Sequence, residues 1–153
     1  MNAFATFVAT AAYVGFAPVA PGTFGSMAGL LVYGAVRLSG GPMAESVAMA
    51  VALVAGLWSA GVVERLLGKD PGPVVIDEVL GMLVTLAFLD VNPIGAVVGF
   101  FLFRVLDVVK PFPAGRLEHL HGGAGIMLDD AMAGVYGNLV MRVLIALLPG
   151  VLA

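Results

Sequence analysis

The chain has 153 residues, enough for one domain spanning 1–153. Apolar residues make up 61% and charged residues 11%, with a mean hydropathy of +1.08, whereas a soluble domain carries about a quarter charged residues. This balance excludes disorder and a coiled coil and points to the membrane; seven Lys and Arg against ten Asp and Glu exclude a nucleic-acid partner, and the absence of cysteine excludes disulfides, a thiol nucleophile and a zinc–thiolate site.

Residues 1–36 hold no charged residue or histidine, which is too long for a single spanning helix of about 20 residues. Pro18, Pro21 and Gly22 interrupt the run, which predicts two helices, about 3–17 and 23–38. A third helix is expected over about 43–67, ended by Asp70-Pro71-Gly72-Pro73. A fourth, about 74–89, stops at Asp90-Val91-Asn92-Pro93, and a fifth, about 93–108, stops before Lys110-Pro111-Phe112-Pro113. The polar stretch 114–125 carries Arg116, Glu118, His119 and His121, and a last helix follows over about 126–148. No segment alternates as a strand would, so the expected class is all-α: a membrane bundle of about six apolar helices, with its active site at one membrane interface. The spaced small residues Gly25/Gly29, Gly56/Ala60 and Gly95/Gly99 read as close helix packing.

If each apolar segment crosses once, the loops at 18–22, 68–73 and 109–125 share a side. That side collects Arg65, Lys69, Arg104, Lys110 and Arg116, five of the seven basic residues, and is therefore expected to be cytoplasmic. The acids gather there too. Asp77 and Glu78 open the fourth helix, Asp107 stands three residues after Arg104 on one face of the fifth, and Asp129 and Asp130 begin the last. Five of ten carboxylates thus lie in apolar helix, where an acid needs a partner or a cation. Two embedded bases cannot neutralise five acids. An oxygen-only ligand set favours Mg²⁺ over zinc. Near the first turn, Thr23 can cap a helix, and Gly22 and Gly25 leave backbone N–H groups that suit a phosphate; on this motif alone a plain capped turn is the better reading, and the acids and bases on the same face shift the balance toward phosphate.

Three blocks, APGTFGS (20–26), DPGPVVIDEVLGM (70–82) and LFRVLDVVKPFP…GGAGIMLDDAMAG (102–134), resemble the phosphatidylglycerophosphatase A family in order and spacing. Phe112 stands where that family has a tryptophan. The resemblance implies a Mg²⁺-dependent lipid phosphatase of the bacterial cytoplasmic membrane, multi-pass, with its site on the cytoplasmic side. Its substrate would be phosphatidylglycerophosphate and its products phosphatidylglycerol and inorganic phosphate. Self-association is left open.

Other phosphatase chemistries lack their residues. There is no cysteine, no Asp-x-Asp-x-[TV], and no Ser-Gly-His with a partner histidine. Attack by a metal-activated water is what remains. On this reading Asp77, Glu78, Asp107, Asp129 and Asp130 hold one or two Mg²⁺ ions, one of these carboxylates takes the proton of the attacking water, and Asp129 and Asp130 are the catalytic acids. Arg104 and Lys110 steady the phosphoryl charge, Gly22 and Gly25 bind the phosphate, and Thr23 and Ser26 bind it too or complete the metal shell. Glu118, outside the three blocks, is expected to be dispensable. The alternative is a transport or channel subunit with an acidic divalent-cation site. Such a path would spread its acids through the bilayer depth rather than gather them at one interface.

Overall fold

The computed structural model describes residues 2–153. It holds seven α-helices: α1 (Ala3–Ala9), α2 (Pro21–Ser39), α3 (Pro42–Leu67), α4 (Ile76–Leu86), α5 (Pro93–Val109), α6 (Ala114–Leu117) and α7 (Gly123–Leu147), with a 3₁₀ turn at Val14–Phe16. There is no strand among the described residues. Helices α2, α3 and α5 each begin on a proline, whose fixed φ suits the first turn and whose missing N–H is not needed there. Asn92 caps α5 by accepting from the N–H groups of Ile94 and Gly95 at 2.9 and 3.0 Å.

Two expected crossings are shorter than the apolar runs suggest. The first helix ends at Ala9, because Ala11, Ala12 and Tyr13 adopt positive φ. Thr10 supports that turn: its hydroxyl donates to the Thr6 carbonyl at 2.8 Å and accepts from the Tyr13 N–H at 3.0 Å, which gives the backbone an alternative to the helix. Seven residues rise only about 10 Å, a third of a hydrocarbon core of about 30 Å. The fourth helix runs from Ile76 to Leu86, with Val75 engaged instead by the Ala9 carbonyl at 2.9 Å. At its other end Phe88 turns to positive φ and donates its N–H to the buried Glu45 carboxylate at 2.6 Å. The polar stretch after Lys110 also holds the short α6, which was not expected. Two helices, α3 and α7, are long and apolar enough to cross a membrane.

The short α4 is the axis of the molecule. Nine of its eleven residues are buried, and α2, α3, α5 and α7 pack around it. Small residues set these approaches. A Cβ on Gly29 would stand 2.7 Å from Met82 Cβ, and one on Gly134 would stand 2.6 Å from the Gly81 carbonyl oxygen. The outward faces remain apolar, with Leu31 77% and Val54 68% exposed.

Helices α2, α3, α4, α5 and α7 run alternately between two ends. At one end Arg37 pairs with Glu45 at 3.2 Å and Asp90 at 2.7 Å. There Asn138 also donates to the carbonyls of Val84, Thr85 and Ala87 at 2.9–3.2 Å, which satisfies the last turn of α4. The opposite end brings together the starts of α2, α4 and α7 and the finish of α5. Every acid and base singled out in the three sequence blocks lies there.

Candidate active site

A cleft of about 320 Å³ opens at that second end. Its walls are the start of α2 (Ala20, Pro21, Gly22), the loop Asp70-Pro71-Gly72, and the side chains of Asp77, Glu78, Arg104, Asp107, Lys110, Asp129 and Asp130. Each element delivers its residue for a local reason. Val74 and Val75 are buried beside the turn after α1, which fixes the entry of α4 and turns Asp77 and Glu78 inward. Lys110 ends α5 in a left-handed conformation, and its side chain turns back toward α7. Asp129 and Asp130 lie in the second turn of α7, buried at 5% and 3% exposure.

The five acids divide into two sets. Asp107 and Asp129 each hold a base: Arg104 Nη1 donates to Asp107 at 2.7 Å, and Lys110 Nζ donates to Asp129 at 2.5 Å. Asp129 also accepts the backbone N–H of Asp130 at 3.0 Å. Asp77, Glu78 and Asp130 form the other set, each offering a carboxylate oxygen within 4.8 Å of the others; none is hydrogen-bonded to a base, although Glu78 Oε1 lies 3.9 Å from Arg104 Nη1. Asp77 Oδ1, Glu78 Oε2 and Asp130 Oδ2 are buried and accept no hydrogen bond among the described residues. Buried carboxylate oxygens without partners are expensive, and three carboxylates this close together, with no histidine or cysteine in the cleft lining, fit a hard cation.

Lys110 carries a second acid. Glu118, on the residue that closes α6, meets its Nζ at 3.0 Å. Burial pulls the Lys110 ammonium toward neutrality, but Asp129 and Glu118 outweigh it and raise its pKa above the ordinary lysine range. The same contact lowers the pKa of the Glu118 carboxyl. Glu118 is thus a partner of the site, where sequence reasoning left it outside. Asp70, given in the sequence as part of a helix stop and the first residue of the second block but not assigned to the site, lines the cleft with positive φ. Its signal was available: a rigid Asp-Pro-Gly-Pro loop directly before a buried acid pair has to fold beside that pair. Nothing in the sequence marked Glu118. The two histidines stay on the polar loop, His119 Nδ1 facing the Gly115 carbonyl at 2.9 Å.

The α2 start departs from its expected form. The helix begins at Pro21, two residues early, on Ala20 with positive φ and no side-chain cap, so Thr23 is inside the first turn rather than capping it. The Thr23 N–H is taken by the Ala20 carbonyl at 2.9 Å, and its half-buried side chain lies outside the cleft lining. Gly25 lies a full turn into the helix, where its N–H belongs to the helix ladder. A Cβ there would stand 2.7 Å from Val75 Cβ, so the position serves packing. Only Gly22 faces the cleft; any Cβ there would collide with Glu78 Oε1. Ser26 is fully buried beneath it. Of the four residues assigned to phosphate, the fold brings Gly22 to the cleft and keeps Thr23, Gly25 and Ser26 from its surface.

Comparison with known proteins agrees with the sequence blocks. The family model described as Phosphatidylglycerophosphatase A matches residues 7–145. A relative from Bacteroides thetaiotaomicron, provisionally named a phosphatidylinositol-3-phosphatase, is 35% identical over 137 residues, which is 84% of this chain and 86% of that one. The phosphatidylglycerophosphatase A of Escherichia coli is 36% identical over 124 residues, 79% of this chain and 72% of its own length. That of Haemophilus influenzae is 34% identical over 126 residues, 80% and 77% of the two chains. No solved structure matches the chain.

Proposed function

Because the chain belongs to the phosphatidylglycerophosphatase A family, we propose that it hydrolyses the terminal phosphate of phosphatidylglycerophosphate with Mg²⁺, at the cytoplasmic face of a bacterial membrane. The observation that carries this reading is the set of three partnerless buried oxygens of Asp77, Glu78 and Asp130, set in one cleft with Arg104 and Lys110. That combination suits a dianionic phosphomonoester accompanied by a divalent cation.

Asp77, Glu78 and Asp130 would hold the ion, with Asp107 and Asp129 as further oxygen donors where a second ion binds. When bound, Mg²⁺ supplies Lewis-acid charge toward the phosphoryl oxygens and makes a water acidic enough to attack at neutral pH. The protein's own contribution is position and field. Arg104 and Lys110, held by Asp107 and Asp129, balance the negative charge of the phosphoryl oxygens, and the Gly22 N–H at the α2 start adds a donor on the same side. A carboxylate of the cleft takes the proton of the incoming water. The oxygen–phosphorus bond to the glycerol headgroup breaks and the leaving oxygen takes up that proton, releasing phosphatidylglycerol and inorganic phosphate.

Two further observations support the membrane setting. The helices leave large apolar side chains facing outward, which suits lipid, and five of seven bases belong to the cleft end, which suits the cytoplasmic side. A channel reading finds less support. Glu45 and Asp90, the acids of the opposite end, are both paired to Arg37, so no file of free carboxylates links the two ends. The Bacteroides relative favours a second lipid class, phosphatidylinositol 3-phosphate, as the competitor to test.

The experiment is phosphate release by the purified protein from each lipid, after chelation and after Mg²⁺ is restored. The expected result is turnover of phosphatidylglycerophosphate that vanishes on chelation and returns with Mg²⁺. Full turnover after exhaustive removal of divalent ions would overturn the metal chemistry, and preference for the inositol lipid would reassign the substrate.

A further inference from the structure

The Gly-Thr-Phe-Gly-Ser segment looks in sequence like a phosphate-binding turn, yet the structure turns its serine away from the cleft. Ser26 has no exposed surface. Its hydroxyl donates to the Gly22 carbonyl at 2.9 Å and accepts from Arg104 Nη1 at 3.4 Å. The same Nη1 donates to Asp107 at 2.7 Å and lies 3.9 Å from Glu78 Oε1. One turn before Ser26, Gly22 leaves the room in which the guanidinium lies: a Cβ there would stand 3.3 Å from both Nη1 and Nη2. Gly22 and Ser26 therefore form a socket on α2 for an arginine that arrives on α5.

We infer that Ser26 is a positioning residue that acts through Arg104 and does not touch the phosphate. An arginine side chain has many rotamers, and its value to a transferring phosphoryl group depends on which N–H groups face it. Anchoring Nη1 on α2, α4 and α5 together leaves the remaining N–H groups for the cleft that Arg104 lines. The serine hydroxyl suits this place. Its own hydrogen is committed within the helix, so only its lone pairs are presented to the guanidinium. This role rests on the phosphatase reading above, but the socket itself does not.

The test compares Ser26→Ala, Ser26→Thr and Ser26→Val in the full-length, Mg²⁺-supplied protein. With Ser26→Ala, kcat for phosphatidylglycerophosphate should fall about tenfold, the scale of a lost hydrogen bond to a charged group, with KM within about twofold. Alanine is the better helix former, so the unfolding midpoint should not drop. Threonine and valine have nearly the same shape, so any crowding harms both, while threonine alone keeps the oxygen and should exceed valine about tenfold. Arg104 guanidinium NMR signals should report faster rotation about Cζ–Nε in the alanine variant. Full kcat in Ser26→Ala, a loss confined to KM, equal threonine and valine, or unchanged guanidinium signals would each overturn the assignment. Should the wild-type protein release no phosphate from this lipid, the phosphatase reading falls, and the guanidinium signals still decide whether the socket exists.

Discussion

The two sets of carboxylates predict different consequences for the same change of one charge. Asp130 has a buried oxygen with no partner, whereas both oxygens of Asp129 already accept a hydrogen bond, from Lys110 and from the Asp130 N–H. Asp130→Asn should lower turnover about a hundredfold or more, the scale of removing a main electrostatic group, and should raise the Mg²⁺ concentration needed for half-maximal rate. Asp129→Asn should lower turnover comparably with little change in that concentration, because the ion loses no partnerless ligand. A metal titration of both variants checks this, and identical shifts would show that the division between the sets is wrong. Glu118 belongs to the rim. Its contact with Lys110 is half exposed and screened by solvent, so Glu118→Gln should stay within about threefold of wild type.

Among the helices, α4 governs the rest. It carries two of the three partnerless acids at its first turn and is too short and too buried to be a crossing of its own. Its neighbours therefore have to come close, and α2 does so through glycines on one face only. Gly29→Ala should destabilise the fold by about 1–3 kcal/mol, since the added carbon would stand 2.7 Å from Met82 Cβ and 3.0 Å from Val79 Cα, which cannot swing aside. Gly34→Ala, five residues on, meets nothing within 4 Å and should stabilise the helix by about 0.5–1 kcal/mol. Thermal unfolding of the two variants is the measurement. Equal midpoints would mean that α2 does not seat on α4 through Gly29.

At the scale of the molecule the two ends differ in kind. One holds acids with unfilled oxygens and most of the bases; the other is closed by Arg37, Glu45, Asp90 and the Asn138 amide. With no native cysteine, single ones can be placed at Gly72 and Gly41, where an added carbon meets nothing within 4 Å. In intact bacteria a membrane-impermeant maleimide should label Gly41→Cys, and should reach Gly72→Cys only after permeabilisation. The reverse pattern would put the cleft on the outer face.

Composition and the spacing of charge were enough to read a helical protein, the order of its main helices, and the acids and bases that share a site. Apolar runs broken by proline and glycine encode helices directly, and ionisable groups inside such runs stand out by their energetic expense. Helix length was less legible. Residues 3–17 carry no charge, but the turn at residues 10–13 depends on a threonine hydroxyl and on the hydrogen bond from the Val75 N–H to the Ala9 carbonyl, which no local pattern announces. The partners were decided by tertiary structure alone. Whether a carboxylate meets a lysine, an arginine or nothing depends on which helix faces it across the core. The sequence could therefore group Asp77, Glu78, Asp107, Asp129 and Asp130, while only the fold separated those hydrogen-bonded to a base from those that keep a buried oxygen without a partner. The same reason hid Glu118 and turned Ser26 from the phosphate to Arg104: both contacts join distant segments, and their distances are set by helix packing rather than by spacing along the chain.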